Sequence, residues 1–344
     1  MMYKKFKQPF RFAFTLALLV LTACESCTDT PPPVKPEDKP SNEAVNVPKF
    51  QADSAYAFVK AQVDFGPRVP GSAPHSACGD WMVAKLKSYG ANVIEQKGTT
   101  TTYDGKSVPL RNIIAEFNPA SKKRITLAAH WDTRPFGDKD SNEGMWKKPI
   151  DGANDGGSGV GVLLEIARLF SAQAPKVGVD IIFFDVEDYG TPEFATQTDN
   201  DIYTWCLGSQ YWARQPHKVN YNSQCGILLD MVGAKDATFN KEGKSMEVAI
   251  GTVGRVWSIA ESLGYGSYFQ DRTAQEIVDD HQFMILAGVP TIDIIDMRQE
   301  TQAMGLSGYG FGSFHHTHND NMSIIDTKTL EAVGTTVSHF VYKY

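Results

Sequence analysis

Short apolar runs alternate with segments of helical periodicity along most of the chain. The runs at residues 125–130, 179–185 and 226–230 are almost uninterrupted, which is typical of strands buried on both faces of a sheet. Between the first two, residues 159–170 carry apolar side chains at helical spacing, which predicts a helix. Because buried strands alternate with helices, we expect a three-layer α/β/α sandwich around a central mixed, mostly parallel sheet.

Weaker signals predict the remaining elements. Helices are expected at residues 53–64, 75–89, 207–213, 253–263, 281–287 and 328–341, and Asp53 or Ser54 is the candidate cap of the first. Strands are expected at residues 91–96, 112–117, 246–250 and 290–295. No second linker or internal repeat interrupts residues 50–344, so we expect them to form a single catalytic domain.

The first 49 residues have a different pattern. Basic residues precede an apolar run at residues 12–23 that is too short to span a bilayer, so residues 1–23 are predicted to be an export signal peptide. The run ends in Leu-Thr-Ala-Cys24, which resembles the lipobox of bacterial lipoproteins, in which the cysteine becomes the lipidated first residue. Residues 24–49 are rich in Pro and charged residues and read as a disordered tether. We therefore expect an exported protein of the bacterial cell envelope, attached to the membrane only through Cys24; an ordinary cleaved signal or an uncut anchor is the alternative.

Charge and cysteine content narrow the classes of function. The 344 residues carry a net charge of −7, and the predicted signal peptide contributes only positive charges, so the rest of the chain is more acidic still. The sequence therefore offers no basic patch of the kind that binds nucleic acid. Besides Cys24, four cysteines remain, and in an oxidising compartment they allow two disulfides whose pairing the spacing does not give. They are Cys27, Cys78, Cys206 and Cys225. Cys225 begins an apolar strand, so a buried thiol is an equally good interpretation of this residue. No two of these cysteines have the short spacing typical of a zinc–sulfur site.

Side chains that bind zinc or move protons follow the buried strands. His130 and Asp132 end the first strand, Glu187 and Asp188 follow the second, and Asp230 ends the third. An open α/β sheet builds its site at the carboxyl ends of its parallel strands, and zinc accepts imidazole and carboxylate ligands. Adjacent carboxylates at a strand end point in different directions, so one can bind a metal while the other exchanges protons. A metalloenzyme is therefore the leading hypothesis.

Three further segments carry candidate residues. Asp155 lies in a glycine-rich turn before the helix at 159–170, where a helix cap is the simpler interpretation of the residue taken alone. The histidines at positions 315, 316 and 318 are clustered, but spacing leaves open which of them binds metal, and Asp320 is a candidate partner for its second ring nitrogen. Asp279 opens a helix and could share protons with Glu187, as could Asp230, although each also reads as a cap or a surface acid.

The order of these motifs resembles the zinc aminopeptidases known as the M28 peptidases. The motifs are His-x-Asp, Gly-Ala-Asn-Asp-x-x-Ser-Gly, Glu-Asp, Leu-Asp-Met-x-Gly and His-Thr-x-x-Asp. Phe-Gly-Pro-Arg-Val-Pro-Gly-Ser at 65–72 and Asp-Asp-His at 279–281 are more similar to its glutaminyl cyclase branch. The resemblance covers about residues 52–344. It implies the site residues by position: Asp155, Asp188 and His316 as ligands of one zinc, Glu187 as the proton shuttle, Asp230 and Asp279 as a carboxylate chain with it, and His130 where two-zinc relatives bind a second ion.

The resemblance implies a monomeric glutaminyl-peptide cyclotransferase that converts N-terminal Gln of peptides or proteins to pyroglutamate. The alternative is a two-zinc aminopeptidase with His130 and Asp230 as further ligands, and a third hypothesis is a peptide-binding lipoprotein without catalysis. Two departures from the family concern the site. Asp188 stands where many relatives have Glu, and His315 stands where animal cyclases have Trp, so Phe311, Phe314 or residues 190–201 are candidates for the pocket wall.

Overall fold

The structure, a computed structural model, describes residues 45–298 and 309–344. Val45–Tyr344 form one compact unit. The predicted signal peptide, Cys24, Cys27 and most of the predicted tether lie outside the described residues. Within them, no helix has the length and apolar character needed to cross a membrane. Cys78, Cys206 and Cys225 are buried free thiols, so these three cysteines form no disulfide with one another.

Helices and strands alternate along the described residues. The helices are α1 (Ala52–Asp64), α2 (Ala73–Ser88), α3 (Gly157–Ala172), α4 (Leu207–Arg214), α5 (Gly243–Ser262), α6 (Asp280–Leu286) and α7 (Thr327–Tyr342). The strands are β1 (Asn92–Thr101), β2 (Ser107–Phe117), β3 (Arg124–His130), β4 (Gly178–Phe184), β5 (Gly226–Asp230), β6 (Phe239–Lys241), β7 (Phe269–Thr273) and β8 (Thr291–Ile295).

Six strands form the central sheet in the order β1-β2-β4-β3-β5-β8. The ladders from β1 to β2 and from β2 to β4 are antiparallel. Those from β4 through β3 and β5 to β8 are parallel. The predicted mixed, mostly parallel sheet is therefore confirmed, with its antiparallel part at one edge.

Helices cover both faces of this sheet. Successive strand residues point to opposite faces, and on β3 Leu127 joins the larger core cluster while Ala128 joins a separate one. The larger cluster includes residues of α1, α3, α5 and α7. The smaller one includes Trp212 of α4 and Met284 of α6. This arrangement confirms the predicted three layers.

The strand predicted at residues 246–250 is wrong, because these residues belong to α5. The Glu242 side chain accepts the backbone N–H groups of Lys244 and Ser245 and so caps a helix that begins earlier than expected. The backbone at Ala249 is non-helical (φ −135°, ψ 37°), which bends the helix between the two stretches. A mainly apolar stretch of five residues, here Met-Glu-Val-Ala-Ile, cannot by itself distinguish a strand from a helical turn.

Other differences concern the ends of elements. β1 and β2 form a longer hairpin than predicted, paired from Asn92–Glu116 to Thr101–Ser107. Gln51, not Asp53 or Ser54, occupies the cap position of α1, and its side chain makes no capping hydrogen bond. The short parallel pair of β6 and β7 was not predicted, since β6 has only three residues.

The parallel strands end together at one edge of the sheet. β3 ends at His130, β5 ends at Asp230, and the loop that carries Glu187 and Asp188 follows β4. The turn before α3 and the loop before α7 supply further polar residues at this edge, which is where open α/β sheets place their sites.

Candidate metal centre and proton-transfer site

Asp155, Asp188 and His316 come from three distant segments and meet in the structure. His316 Nε2 lies 3.2 Å from Asp188 Oδ1 and 3.7 Å from Asp155 Oδ2. All three residues are buried, with at most 5% of their surface exposed. The backbone of His316 has a left-handed φ of 58°, which is uncommon for a residue other than glycine and marks a constrained position.

Asp320 holds the turn that carries Asp155. Its carboxylate accepts the backbone N–H groups of Asn154 at 2.7 Å and of Asp155 at 3.0 Å. Asp320 is therefore not the partner of a metal-site histidine, as its position in the sequence had suggested. On the other side of the ring, His316 Nδ1 lies 4.0 Å from Asp138 Oδ1. The turn also needs Gly156, which has φ 79° and lies so close to Asp132 that a Cβ there would be 2.8 Å from its carbonyl oxygen.

Asp132 performs the same task for the loop after β4. It accepts the backbone N–H groups of Glu187 at 3.0 Å and of Asp188 at 3.2 Å. Val186 just before them has a left-handed φ of 55°. As a result the two adjacent carboxylates diverge: Asp188 faces His316, while Glu187 lines a cavity. Asp132 therefore has a structural role in holding this loop, which its position at the end of a strand did not predict.

The residues around His316 fit a divalent cation. Both carboxylate oxygens of Asp188 are buried and accept no hydrogen bond, a costly state that a bound cation relieves. Burial, with Asp155 nearby, raises the pKa of Asp188 well above its usual value. Burial also lowers the pKa of His316, which favours the neutral imidazole that metal ligation requires.

His315 is a second histidine within reach of the same position. Ligand atoms of Asp155, His315 and His316 all lie within 4.8 Å of one another. His315 Nδ1 is 3.1 Å from Lys139 Nζ, so that nitrogen is already occupied. His316 Nε2, by contrast, lies 3.2 Å from Asp188 Oδ1, which accepts no hydrogen bond although Arg134 Nη1 is 3.6 Å away, and this contact favours His316 as the ligand.

His130 organises a neighbouring set that shares Asp155. Its Nε2 lies 3.0 Å from Asp155 Oδ1 and 3.2 Å from Asp230 Oδ1. Burial lowers the pKa of His130, but Asp132, Asp155 and Asp230 together raise it well above its usual value. Burial raises the pKa of Asp230 to about 7. These residues could hold a second cation next to the first, or His130 itself could be the positive charge between the carboxylates.

Glu187 is placed to exchange protons with a bound molecule. Its side chain is half-buried at the cavity wall, and burial, with Asp188 and Asp279 nearby, raises its pKa well above the usual value. A carboxyl with a raised pKa suits general acid–base chemistry near neutral pH. Asp279 caps α6 by accepting the N–H of Asp280, and its other oxygen is buried without a hydrogen-bond partner.

Cys206 and Trp205 contact these groups, and sequence reasoning did not identify either. The Cys206 thiol donates to Glu187 Oε1 at 3.1 Å, and the Cys206 backbone N–H donates to the Glu187 carbonyl oxygen at 2.9 Å. The Trp205 ring stacks on His316, with centroids 5.5 Å apart and planes inclined by 6°. Both residues follow a polar insertion in which no periodic pattern points to a site.

A cavity of about 300 Å³ opens over Glu187, Asp155 and His316. Two of the residues predicted as candidates for the pocket wall line this cavity: Phe311 and residue 201 of the polar insertion. Phe314 does not line the cavity and instead packs in a core cluster with Met231 and Ile295. Ligands for a cation and a proton-exchanging carboxylate therefore share one apolar-walled chamber.

Comparisons with known proteins identify the relatives of this chain. The profile of the family described as Peptidase family M28 matches residues 112–341. A glutaminyl cyclase from Bacteroides thetaiotaomicron, solved with N-acetylhistamine bound, is 51% identical, with a TM-score of 0.83 over 87% of this chain and 100% of that one. A Zn-dependent exopeptidase from Parabacteroides distasonis is equally similar, at 51% identity and a TM-score of 0.83 over 87% of this chain and 100% of that one. The glutaminyl-peptide cyclotransferase of Drosophila melanogaster is 25% identical, over 81% of this chain and 77% of its own.

Proposed function

The chain belongs to Peptidase family M28 and to its glutaminyl cyclase branch, and we propose that it converts the N-terminal Gln of peptides or proteins to pyroglutamate. The observation that carries this proposal is the pairing of a buried Asp155–Asp188–His316 cluster with the cavity-facing carboxyl of Glu187. About half of the aligned residues are identical to those of a bacterial glutaminyl cyclase with the same fold, which supports this reaction class.

Asp155, Asp188 and His316 are proposed to hold one zinc ion. Bound zinc supplies a Lewis acid for the side-chain amide carbonyl of the substrate Gln. The Glu187 carboxylate then takes a proton from the substrate α-amine as that nitrogen forms its bond to the amide carbon. The same carboxyl returns the proton to the amide nitrogen as its bond to carbon breaks and ammonia leaves. A group that both accepts and donates needs a pKa close to the working pH, and burial moves Glu187 in that direction.

Asp230 and Asp279 are proposed to form a carboxylate chain with Glu187. All three line the cavity, and Asp279 and Glu187 offer oxygens within 4.8 Å of each other and of the Cys206 sulfur. Neighbouring buried carboxyls share protons, because two negative charges at this distance repel each other. The chain would keep Glu187 able to hold a proton during the reaction.

Mass spectrometry of a short Gln-initiated peptide tests the proposal. After incubation with the purified protein lacking residues 1–44, the peptide is expected to lose one ammonia and keep its full length. A shortened peptide with free glutamine would instead establish a hydrolase.

A two-zinc aminopeptidase is the second candidate. The His130–Asp155–Asp230 set favours it, because Asp155 could bridge two ions, and a solved relative at 51% identity is described as a Zn-dependent exopeptidase. The Gln-peptide experiment separates the two reactions by the length of the product.

We also propose that the protein acts as a monomer in the bacterial cell envelope, attached through a lipid on Cys24. The lipobox-like sequence and the short apolar run before it support this proposal. Membrane fractionation of the full chain tests the anchor, since the Cys24→Ser variant should lose the lipid and its membrane association. A Cys24→Ser variant that stays in the membrane fraction would point to an uncut signal anchor.

A further inference from the structure

A single lysine lines the cavity together with its carboxylates. The lining contains five acidic residues, Asp155, Glu187, Asp201, Asp230 and Asp279. Lys139 is the one lysine or arginine among the described residues that line it. Neither the proposed zinc ligands nor the carboxylate chain includes this lysine. A cationic donor in a cavity forms strong hydrogen bonds with oxygen atoms of a bound molecule.

The segment that carries Lys139 is fixed at two successive residues. The carboxylate of Asp138 accepts from Nε of Arg134 at 2.7 Å and from Nη2 at 2.6 Å, and both side chains are fully buried. The backbone N–H of Lys139 donates to the carbonyl oxygen of His316 at 3.2 Å. Lys139 is therefore attached to the segment that supplies the metal-site histidine.

The head group of Lys139 has donors to spare. Nζ is 3.1 Å from Nδ1 of His315, which also lines the cavity. A lysine ammonium carries three N–H donors, and His315 is the one acceptor that the described part of the chain supplies to it. Two donors are therefore available to water or to a bound molecule.

This head group lies beside the metal centre. Ligand atoms of His315, His316 and Asp155 are all within 4.8 Å of one another, and Lys139 contacts the first of these residues. A terminal Gln whose amide carbonyl is at the cation therefore has its Cα close to the lysine. Its α-amine belongs at Glu187, so the peptide carbonyl on the same Cα is the acceptor that has no partner yet.

We propose that Lys139 binds the peptide carbonyl oxygen of the terminal Gln and so positions the substrate between the cation and Glu187. This inference rests on the proposed function. The carbonyl oxygen gains no charge as the ring closes, so its contact with Lys139 is equally strong before and during the reaction. A contact of this kind lowers KM and leaves kcat nearly unchanged.

Two competitors that differ at one carbonyl test the inference. Glutamine amide has this carbonyl on its Cα, whereas γ-aminovaleramide has a methyl group in its place. Each is measured as an inhibitor of pyroglutamate formation from the same Gln-initiated peptide. Glutamine amide should bind about ten-fold more tightly to the unaltered protein. Lys139→Met should weaken its binding by about ten-fold and change that of γ-aminovaleramide by less than about two-fold.

Kinetics with the peptide itself provide a second readout. Lys139→Met should raise KM by about ten-fold and change kcat by less than about two-fold. Lys139→Arg retains a cationic donor and should recover most of the affinity. The matched control is Lys122→Met, which alters an exposed lysine that does not line the cavity and lies just before β3, at the end of that strand opposite His130.

The outcomes separate this inference from the proposed function. An unchanged inhibition constant of glutamine amide in Lys139→Met, or an equal weakening of both competitors, would overturn the contact while cyclisation still stands. A fall in kcat with unchanged KM would overturn it as well. If Lys139→Met does not fold, Lys139→Gln gives the same comparison at a smaller change. Failure of the unaltered protein to cyclise any Gln-initiated peptide would overturn both the inference and the proposed function.

Discussion

Two histidine–carboxylate sets share Asp155, and they differ in how their polar atoms are satisfied. In the set around His130, the ring Nε2 lies within 3.2 Å of carboxylate oxygens of both Asp155 and Asp230. In the set around His316, both oxygens of Asp188 are buried and accept no hydrogen bond. The carboxylates raise the pKa of His130, whereas burial lowers that of His316.

This difference indicates what each histidine does. A protonated His130 places one positive charge between Asp155 and Asp230, which offsets part of the negative charge of that set. A neutral His316 has a lone pair available and faces Asp188, whose oxygens accept no hydrogen bond although Arg134 Nη1 lies 3.6 Å from Oδ1, so the two side chains offer ligand atoms to a cation. From this comparison we expect one metal site, at His316, and this expectation is tested below by counting the bound ions.

The largest expected effect follows the loss of the His316 ring. The His316→Ala variant removes a ligand and leaves Asp188 more poorly compensated, so metal and cyclase activity should be lost together, with activity down by at least about 10²-fold. Metal analysis of the purified variant and its ammonia release are the two readouts. Full metal occupancy in the variant would count against His316 as a ligand.

Glu187→Gln should separate chemistry from metal binding. The amide has nearly the same shape but cannot accept and return a proton, so kcat should fall by about 10²–10⁴-fold while metal content stays unchanged. Retained activity would mean that another group moves the proton, and a loss of metal would mean that Glu187 belongs to the ligand set.

Cys206→Ala should have a smaller effect on the same carboxyl. Removing the thiol takes away the hydrogen bond to Glu187 Oε1 and frees that side chain to rotate, so kcat should fall by roughly ten-fold with little change in KM. Cys206→Ser retains a donor and should restore part of the rate. Cys225→Ala is the matched control, because Cys225 is also a buried thiol but its sulfur contacts the Tyr344 hydroxyl and not Glu187. An equal loss of kcat in both alanine variants would show that Cys206 only supports packing.

The smallest expected effect on activity concerns a third histidine–carboxylate set, between Glu242 and His281, whose Oε2 and Nε2 are 3.3 Å apart. Although burial opposes it, His281 and the capped N–H groups lower the pKa of Glu242 from 4.5 to about 2. A carboxyl with a lowered folded-state pKa stabilises the fold above its unfolded pKa, and this stability is lost as the pH falls through the folded value. Glu242→Gln should therefore flatten the decline in unfolding free energy between about pH 4.5 and pH 2. Denaturant titrations across that range provide the measurement, and equal slopes for both proteins would contradict the assignment.

The sequence predicted the layers and the positions of the site residues because both depend on strong local patterns. Uninterrupted apolar runs specify buried strands, and polar residues at their ends must meet at one edge of a parallel sheet. The resemblance to a known family then supplied roles for Asp155, Asp188 and His316, and these roles remain predictions.

Parts of the site that depend on tertiary contacts were not predictable. The position of Asp320 in a His-Thr-x-x-Asp motif suggested a contact with a histidine, but the folded chain brings its carboxylate to the backbone of Asn154 and Asp155. Cys206 and Trp205 reach the site because of the conformation of the loop that follows the polar insertion. No periodic sequence pattern predicts that conformation. The missed helical stretch at residues 246–250 depends on the cap that Glu242 provides one turn earlier.

The most direct test of the single-site account is the number of metal ions per chain, measured by native mass spectrometry of the unaltered protein and of the His130→Asn variant. We predict one zinc per chain in both proteins, because we expect His130 to supply a positive charge between Asp155 and Asp230 and not to bind an ion. Two ions in the unaltered protein and one in His130→Asn would contradict this account and favour the two-zinc aminopeptidase.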